Sequence, residues 1–213
     1  MKKAAVLGAH TFLGFALCME WLEKGVEVLA VYEKAKNSLE ERRMEEMWMT
    51  VGRNALFELV CKEENPDLQS CDAAVCETEW LEHHNTIDIP LLIIEKGGKA
   101  RKEVSDHNGV IYAGKMYGPW QPATEELTNW RAEDFAVPPF KKDPGLYIED
   151  AAKTIAELAA KDFKGQSFYL PGNGVRREEL YPLVQETPIK KGLEELKKHM
   201  EQYPFLYDSS ALV

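Results

Sequence analysis

A glycine-bounded turn, Gly8-Ala9-His10-Thr11-Phe12-Leu13-Gly14, holds the residues best placed for chemistry in this chain. It lies between a short apolar run, Ala4–Leu7, and a helical run, Phe15–Lys24, that stops at Gly25. A strand, a tight turn and a helix start in that order make an anion site. The first N–H groups of the helix have no internal partner, and the helix dipole favours negative charge there. The next apolar run, Val26–Tyr32, completes a βαβ unit of the kind that holds dinucleotide phosphates. The candidate cofactor-binding residues are therefore Gly8, His10, Thr11, Phe12, Leu13 and Gly14, with Tyr32 and Glu33 at the end of the second strand.

Other chemistry-bearing residues have plainer readings. His10 is in reach of a phosphate, yet a histidine in a turn is usually an exposed loop residue. Glu77 and Glu79 follow a predicted strand and could serve as acid or base, but the simpler reading is a solvated loop. His83 and His84 are adjacent, so they point apart, and no third ligand stands at helical spacing, which argues against a metal. Cys18, Cys61, Cys71 and Cys76 form no C-x-x-C pair and read as reduced, mostly buried thiols of a cytoplasmic protein. There is no Gly-x-Ser-x-Gly elbow and no phosphate-binding loop of the G-x-x-x-x-G-K-[ST] type.

The elements that must position the turn alternate between strand and helix. Ser38 is the expected cap of a helix whose Leu39, Met44, Met47 and Trp48 form an apolar stripe. Strands are expected at 54–61, 72–76, 90–94 (ended by Gly97-Gly98) and 109–113, then a short one at 146–148 and another at 166–170, turned by Pro171-Gly172-Asn173-Gly174. Pro90-Leu91-Leu92-Ile93-Ile94 has the unbroken apolar character of a strand buried on both faces. Residues 120–145 read as irregular with one short helix near Glu125–Trp130. A helix capped by Glu149 or Asp150 covers Ala151–Lys161, and further helices cover 177–185 and 189–202. The pattern predicts an α/β fold: a Rossmann-like, doubly wound parallel sheet wrapped by helices, with a small C-terminal α/β lobe. Residues 1–119 would form the nucleotide-binding domain. Residues 120–213 would pack on it as the lobe, with Trp120, Trp130 and Phe135 between the two.

With 45% hydrophobic residues, the 213-residue chain can support a core of that size. Its formal net charge of -10 argues against nucleic acid as a partner, because phosphates would be repelled. No apolar run reaches the roughly 18 residues of a membrane span. The start, Met1-Lys2-Lys3, leads straight into a strand rather than into a signal peptide.

The order of motifs resembles the extended short-chain dehydrogenases/reductases, the NAD-dependent epimerase/dehydratase group. Gly8-x-x-Thr11-x-x-Gly14 stands where that family has Gly-x-x-Gly-x-x-Gly. Tyr117-Gly118-Pro119 resembles its Tyr-Gly-Pro after the sixth strand. Tyr147-Ile148-Glu149-Asp150-Ala151-Ala152 resembles its strand-to-helix step, and Phe168–Gly174 its late strand ending in Gly-Ser-Gly. Gly192-Leu193 matches a Gly-Leu in its last helix. The resemblance covers almost the whole chain and implies NAD or NADP as cofactor, with a dinucleotide or nucleotide sugar as ligand.

Several departures qualify it. Thr11 replaces the middle glycine, adding a Cβ and a hydroxyl near the pyrophosphate. The ribose-binding acid falls on Tyr32 by spacing, and on Glu33 with a one-residue shift. Lys34 and Lys36 would either tolerate a 2′-phosphate or lie on a solvated face. The family's Tyr-x-x-x-Lys, four apart on one helix face, has no counterpart after the fifth strand. Tyr32-x-x-x-Lys36 lies at the wrong strand end, and Tyr112 and Lys115 would face opposite ways on a strand. That helix also builds the family's dimer, so the usual homodimer is not expected. The leading expectation is an NAD(P)-binding-fold protein without the usual catalysis, in a binding or regulatory role. The alternatives are an oxidoreductase or epimerase with substitute residues (Glu77, His10 or Tyr117), or an interaction protein whose cleft is blocked by Thr11 and Tyr32 and whose tryptophan-rich lobe holds a protein partner.

Overall fold

The computed structural model describes residues 1–83, 87–96, 106–136, 138–140, 144–171 and 180–208. Gly97-Gly98, His84 and the Gly172–Gly174 turn lie outside the described residues. Strand β1 (Lys3–Leu7) is followed by α1 (Phe12–Glu23), β2 (Glu27–Tyr32), α2 (Ser38–Val51), β3 (Phe57–Cys61), β4 (Ala73–Glu77), β5 (Leu91–Lys96) and β6 (Asn108–Ala113). After these come β7 (Met116–Tyr117), α3 (Glu125–Ala132), β8 (Leu146–Tyr147), α4 (Ile148–Ala159), β9 (Ser167–Tyr169) and α5 (Ile189–Gln202).

The main sheet has seven strands in the order β3-β2-β1-β4-β5-β6-β9, and every pairing is parallel. The order reverses direction between β1 and β4, and the turn after β1 opens at this switch point. β7 and β8 form a separate parallel pair. The fold is therefore the expected α/β doubly wound sheet.

Among the described residues the α-helices pack on one face of the sheet. One apolar cluster joins Ala4, Val6, Val28, Ala30, Val75, Leu92, Ile94 and Ile111 to residues of α1–α5. The other face carries Ala5, Leu7, Leu29, Val31, Ala74, Cys76, Leu91, Ile93, Val110 and Tyr112. Among the described residues, its covering groups come from 3₁₀ turns and extended chain (Leu68, Cys71, Trp80, Leu81, Ile87 and Ile89) and not from any α-helix. The alternation of side chains along each strand sends every second residue to this thinly covered face.

Helix starts differ from expectation where a neighbouring group caps better. Asn37, in extended backbone, accepts the Glu40 amide at 2.9 Å and caps α2 in place of Ser38. α4 starts at Ile148 after Tyr147 with no side-chain cap, so Glu149 and Asp150 lie inside its first turn, where their charge suits the dipole. Asp150 turns instead to the segment before α5. Its carboxylate accepts the Thr187 amide at 2.6 Å and the Thr187 hydroxyl at 2.8 Å. Thr154, one turn on, accepts the Val184 amide at 3.2 Å. Tyr181 donates its amide to the Tyr169 carbonyl at 2.7 Å. Residues 180–185 are thus extended, not helical: their amides are held by β9 and α4, and Pro182 and Pro188 interrupt any helix.

Asp150 is 2% exposed, and its loss leaves two half-buried Thr187 donors without their acceptor. Asp150→Ala is expected to cost about 2–4 kcal/mol of stability. Urea unfolding measures that cost, and faster hydrogen exchange at the Thr187 amide locates it.

Two of the motif glycines are explained by close approach. A Cβ at Gly118, whose φ is +146°, would stand 2.5 Å from Ile148 Cγ2, and one at Gly192 would stand 2.4 Å from the Tyr117 hydroxyl. The Tyr-Gly-Pro segment is therefore wedged between the start of α4 and the α5 helix.

Candidate functional site

The turn after β1 is built as its sequence implies. Gly8 has φ +89°, and its amide and that of Ala9 both donate to the Val31 carbonyl at 2.9 Å. The Thr11 amide closes the turn on the Gly8 carbonyl at 2.9 Å. Thr11 is the N-cap of α1, and its hydroxyl oxygen accepts the Gly14 amide at 3.0 Å. Its hydroxyl therefore serves the helix start. Among the described residues the Phe12 and Leu13 amides make no hydrogen bond, which leaves two N–H groups at the head of the dipole. Leu13 is buried as core, while half-buried Phe12 edges a groove with Phe15, Met19 and Trp120. Gly14 lies tight under the turn: a Cβ there would be 2.1 Å from the Gly8 carbonyl oxygen.

His10 is only 8% exposed, contrary to the exposed reading. Its ring meets Trp80 edge-on at 5.8 Å between centroids, and the Glu33 amide approaches its Nδ1 at 3.5 Å. Burial lowers its pKa from the ordinary imidazole value. Glu77 is also buried, at 5%, where a solvated carboxylate was expected. Thr11 donates its hydroxyl to Glu77 Oε1 at 2.9 Å, and Lys96 forms an ion pair with the other oxygen. The parallel register β1–β4–β5 explains this: the ends of three adjacent strands bring Thr11, Glu77 and Lys96 together. Glu79, by contrast, is exposed.

Tyr32 ends β2 and Glu33 follows it, but the two do different things. The Tyr32 ring stands 6.0 Å from that of Trp48 and packs toward α2. Glu33 forms an ion pair and hydrogen bond with Lys62, which holds its carboxyl below the usual range. Lys34 and Lys36 are exposed. Arg43 reaches in from α2 toward the His10 carbonyl at 3.5 Å, and burial lowers its pKa.

The residue that dominates the space over the turn is Trp80, 6% exposed, on the 3₁₀ turn after β4. A Cβ placed on Gly8 would lie 2.7 Å from its Nε1, so the indole edge fills the room the glycine leaves. The Lys62 ammonium stands 5.8 Å from the indole ring. Neither Thr11 nor Tyr32 closes the cleft. Trp80, Lys62, Lys96 and Arg43 were missed from sequence. Only Trp80 carries a usable signal, an aromatic residue at the carboxyl end of a strand beside the switch point.

The other candidates are held elsewhere. Tyr117 is buried against Tyr147 and Phe140. Trp120 packs on Phe15, His199 and Tyr203, and Trp130 on Phe135. All four cysteines are buried, and among the described residues none forms a disulfide. No group of three or more metal-ligating side chains occurs among the described residues. Among the same residues, no helix is long and apolar enough to cross a membrane.

No family model matches the chain. A curated relative, the uncharacterized protein YjaV of Bacillus subtilis strain 168, is 28% identical over 170 residues, covering 75% of this chain and 90% of that protein. Among solved structures the chain is similar to dTDP-glucose 4,6-dehydratase from Bacillus anthracis in complex with NAD, with a TM-score of 0.67 and 11% identity over 97% of this chain and 99% of that one. It is similar to the yeast methylglyoxal/isovaleraldehyde reductase Gre2 complexed with NADPH, with a TM-score of 0.60 and 10% identity over 95% and 99% of the two chains. A third likeness is to WbmH of Bordetella bronchiseptica in complex with NAD+, with a TM-score of 0.60 and 12% identity over 95% and 99%. At such identities the likeness shows the fold alone, a Rossmann-like α/β sheet.

Proposed function

We propose that this chain is an NAD(P)-binding-fold protein that acts through binding and does not run the reductase or epimerase reaction. The observation that carries this reading is the connection between β5, ending at Lys96, and β6, starting at Asn108. Residues 97–107 contain no tyrosine, so the connection cannot present a Tyr-x-x-x-Lys pair to a nicotinamide. The dinucleotide is supported as ligand by the turn itself: a capped helix start with uncommitted Phe12 and Leu13 amides, and Glu33 at the strand end where a ribose would lie. NAD or NADP bound there would supply a redox centre, but residues 97–107 hold no tyrosine to serve as the familiar proton donor. The family's homodimer is not expected either.

The test is thermal unfolding with NAD+, NADH, NADP+ and NADPH, followed by calorimetry. A ligand at 100 times its dissociation constant stabilises a fold by about 2.7 kcal/mol. A rise in melting temperature with at least one dinucleotide, without cofactor-dependent turnover of carbonyl or sugar-nucleotide substrates, is the expected result. Turnover would overturn the non-catalytic reading.

A second reading has its own observation. The Trp80 indole stands against Gly8, and the Glu77 carboxylate accepts from the Thr11 hydroxyl at the head of α1, which favours a closed cleft. If no dinucleotide binds, the chain is an interaction protein on a closed cleft.

A further inference from the structure

We infer that the chain blocks its own dinucleotide cleft with Trp80, and that a ligand enters only when this side chain swings out. The inference rests on the binding reading above and adds its regulation.

Three observations support it. First, the indole stands where a ligand would approach. Around the position of a Gly8 Cβ lie Trp80 Nε1 at 2.7 Å, Cε2 at 3.0 Å and Cδ1 at 3.2 Å. A glycine at this point of a dinucleotide turn leaves room for a close approach to backbone, and here the approach is made by the chain itself. Second, the anion position is taken. The Glu77 carboxylate is buried and bonded to the Thr11 hydroxyl that caps α1, so the positive end of the helix already faces an internal anion. A pyrophosphate drawn to the Phe12 and Leu13 amides would meet that carboxylate, whose other oxygen is already paired with Lys96. Third, the plug is latched to the ribose position. Lys62 stands over the indole and is also the ion-pair partner of Glu33. Ribose hydroxyls hydrogen-bonding to Glu33 would compete for the carboxylate that holds Lys62. Ligand binding at one end of the cleft would thereby loosen the latch at the other.

The closed form thus competes with ligand for one space. A closed state that outweighs the open one by about tenfold to a hundredfold weakens the apparent affinity by the same factor. Trp80→Ala removes the plug and Lys62→Met removes the latch while keeping most of the stem's apolar contact. Calorimetry with NAD+ and NADP+ on the full chain, with circular dichroism to confirm folding, compares both variants with the natural protein. Trp80→Ala is expected to bind at least about tenfold tighter, and Lys62→Met to move the same way by less. Equal affinities in all three proteins would overturn the plug and leave the binding reading in place. Weaker binding by Trp80→Ala would make the indole a wall of the site and likewise overturn the plug. Absence of binding by every folded protein would overturn both. Should Trp80→Ala fail to fold, Lys62→Met decides, and an unchanged affinity there refutes the inference.

Discussion

Gly14→Ala is expected to destabilise the chain by about 3 kcal/mol or more, at the upper end of overpacking effects. The new methyl would be placed 2.1 Å from the Gly8 carbonyl oxygen, 2.9 Å from the Gly8 carbonyl carbon and 3.0 Å from Thr11 Oγ1. Two of these atoms are backbone, so no side chain can rotate away. Relief requires α1 to move off the turn. That motion breaks the Thr11 cap on the Gly14 amide and disturbs a helix whose Leu13, Phe15, Leu17 and Trp21 are all buried. Because α1 packs on α4 as well as on the sheet, the shift propagates through the main core. Urea unfolding measures the loss. Gly25→Ala is the control: its φ of +71° also disfavours a side chain, but a Cβ there meets nothing within 4 Å. It is expected to cost only about 1 kcal/mol. Similar losses for the two variants would show that turn and helix are not locked by contact.

The second large effect is a loss of stability in mild acid. His199, on α5, is 8% exposed and lies among Trp120, Tyr203 and Tyr207. Its Nδ1 is 2.9 Å from the Tyr207 hydroxyl, and its buried Nε2 has no hydrogen-bond partner among the described residues. Burial pushes its pKa down from 6.5 to about 4. The folded chain therefore holds a neutral imidazole where the unfolded chain takes up a proton. Between those two values the unfolded state binds more protons, so stability falls as pH falls from 6.5 towards 4. Above 6.5 the contribution is constant, and below 4 it no longer changes. Integrated over the window, the loss is on the order of 3 kcal/mol.

His10, also depressed by burial, adds to the fall in the same direction. Glu33 and Asp72 enter at lower pH. Their carboxyls are held below ordinary values by Lys62 and by the Lys2 and Lys3 amides, so their contribution is lost only as pH drops below about 4.5. Urea midpoints at several pH values between 7 and 4.5 isolate the histidine effect. His199→Phe keeps a ring against Trp120 and is expected to lower stability at pH 7, through the lost Tyr207 bond, while flattening most of the slope. A slope unchanged by that variant would exclude His199 as its source.

The sequence by itself determined the turn and its neighbours, because local rules govern them. Gly8, Thr11 and Gly14 stand at the spacing of a tight turn feeding a capped helix, and Gly25 stops that helix with φ +71°. The unbroken apolar run Leu91–Ile94 marked a strand buried on both faces. Alternation of such runs with amphipathic segments was enough for the α/β order. That residues 97–107 contain no tyrosine is likewise legible as an absence of a residue type.

Tertiary structure alone decided what occupies the cleft. Glu77, Lys96 and Thr11 meet because three strand ends lie side by side in the sheet, and no local spacing encodes that neighbourhood. Trp80 reaches Gly8 because the chain after β4 folds as one 3₁₀ turn back over the strand ends rather than leaving as a helix. Asp150 looked like a helix cap in the local pattern, yet its carboxylate answers Thr187, 37 residues away, since a buried acceptor must be paired wherever a donor can be brought to it. Local propensity sets which segments can be strand, turn or helix. Contacts between distant segments set which of their polar groups are buried, and therefore whether the anion site at the head of α1 faces a ligand or the chain's own carboxylate and indole.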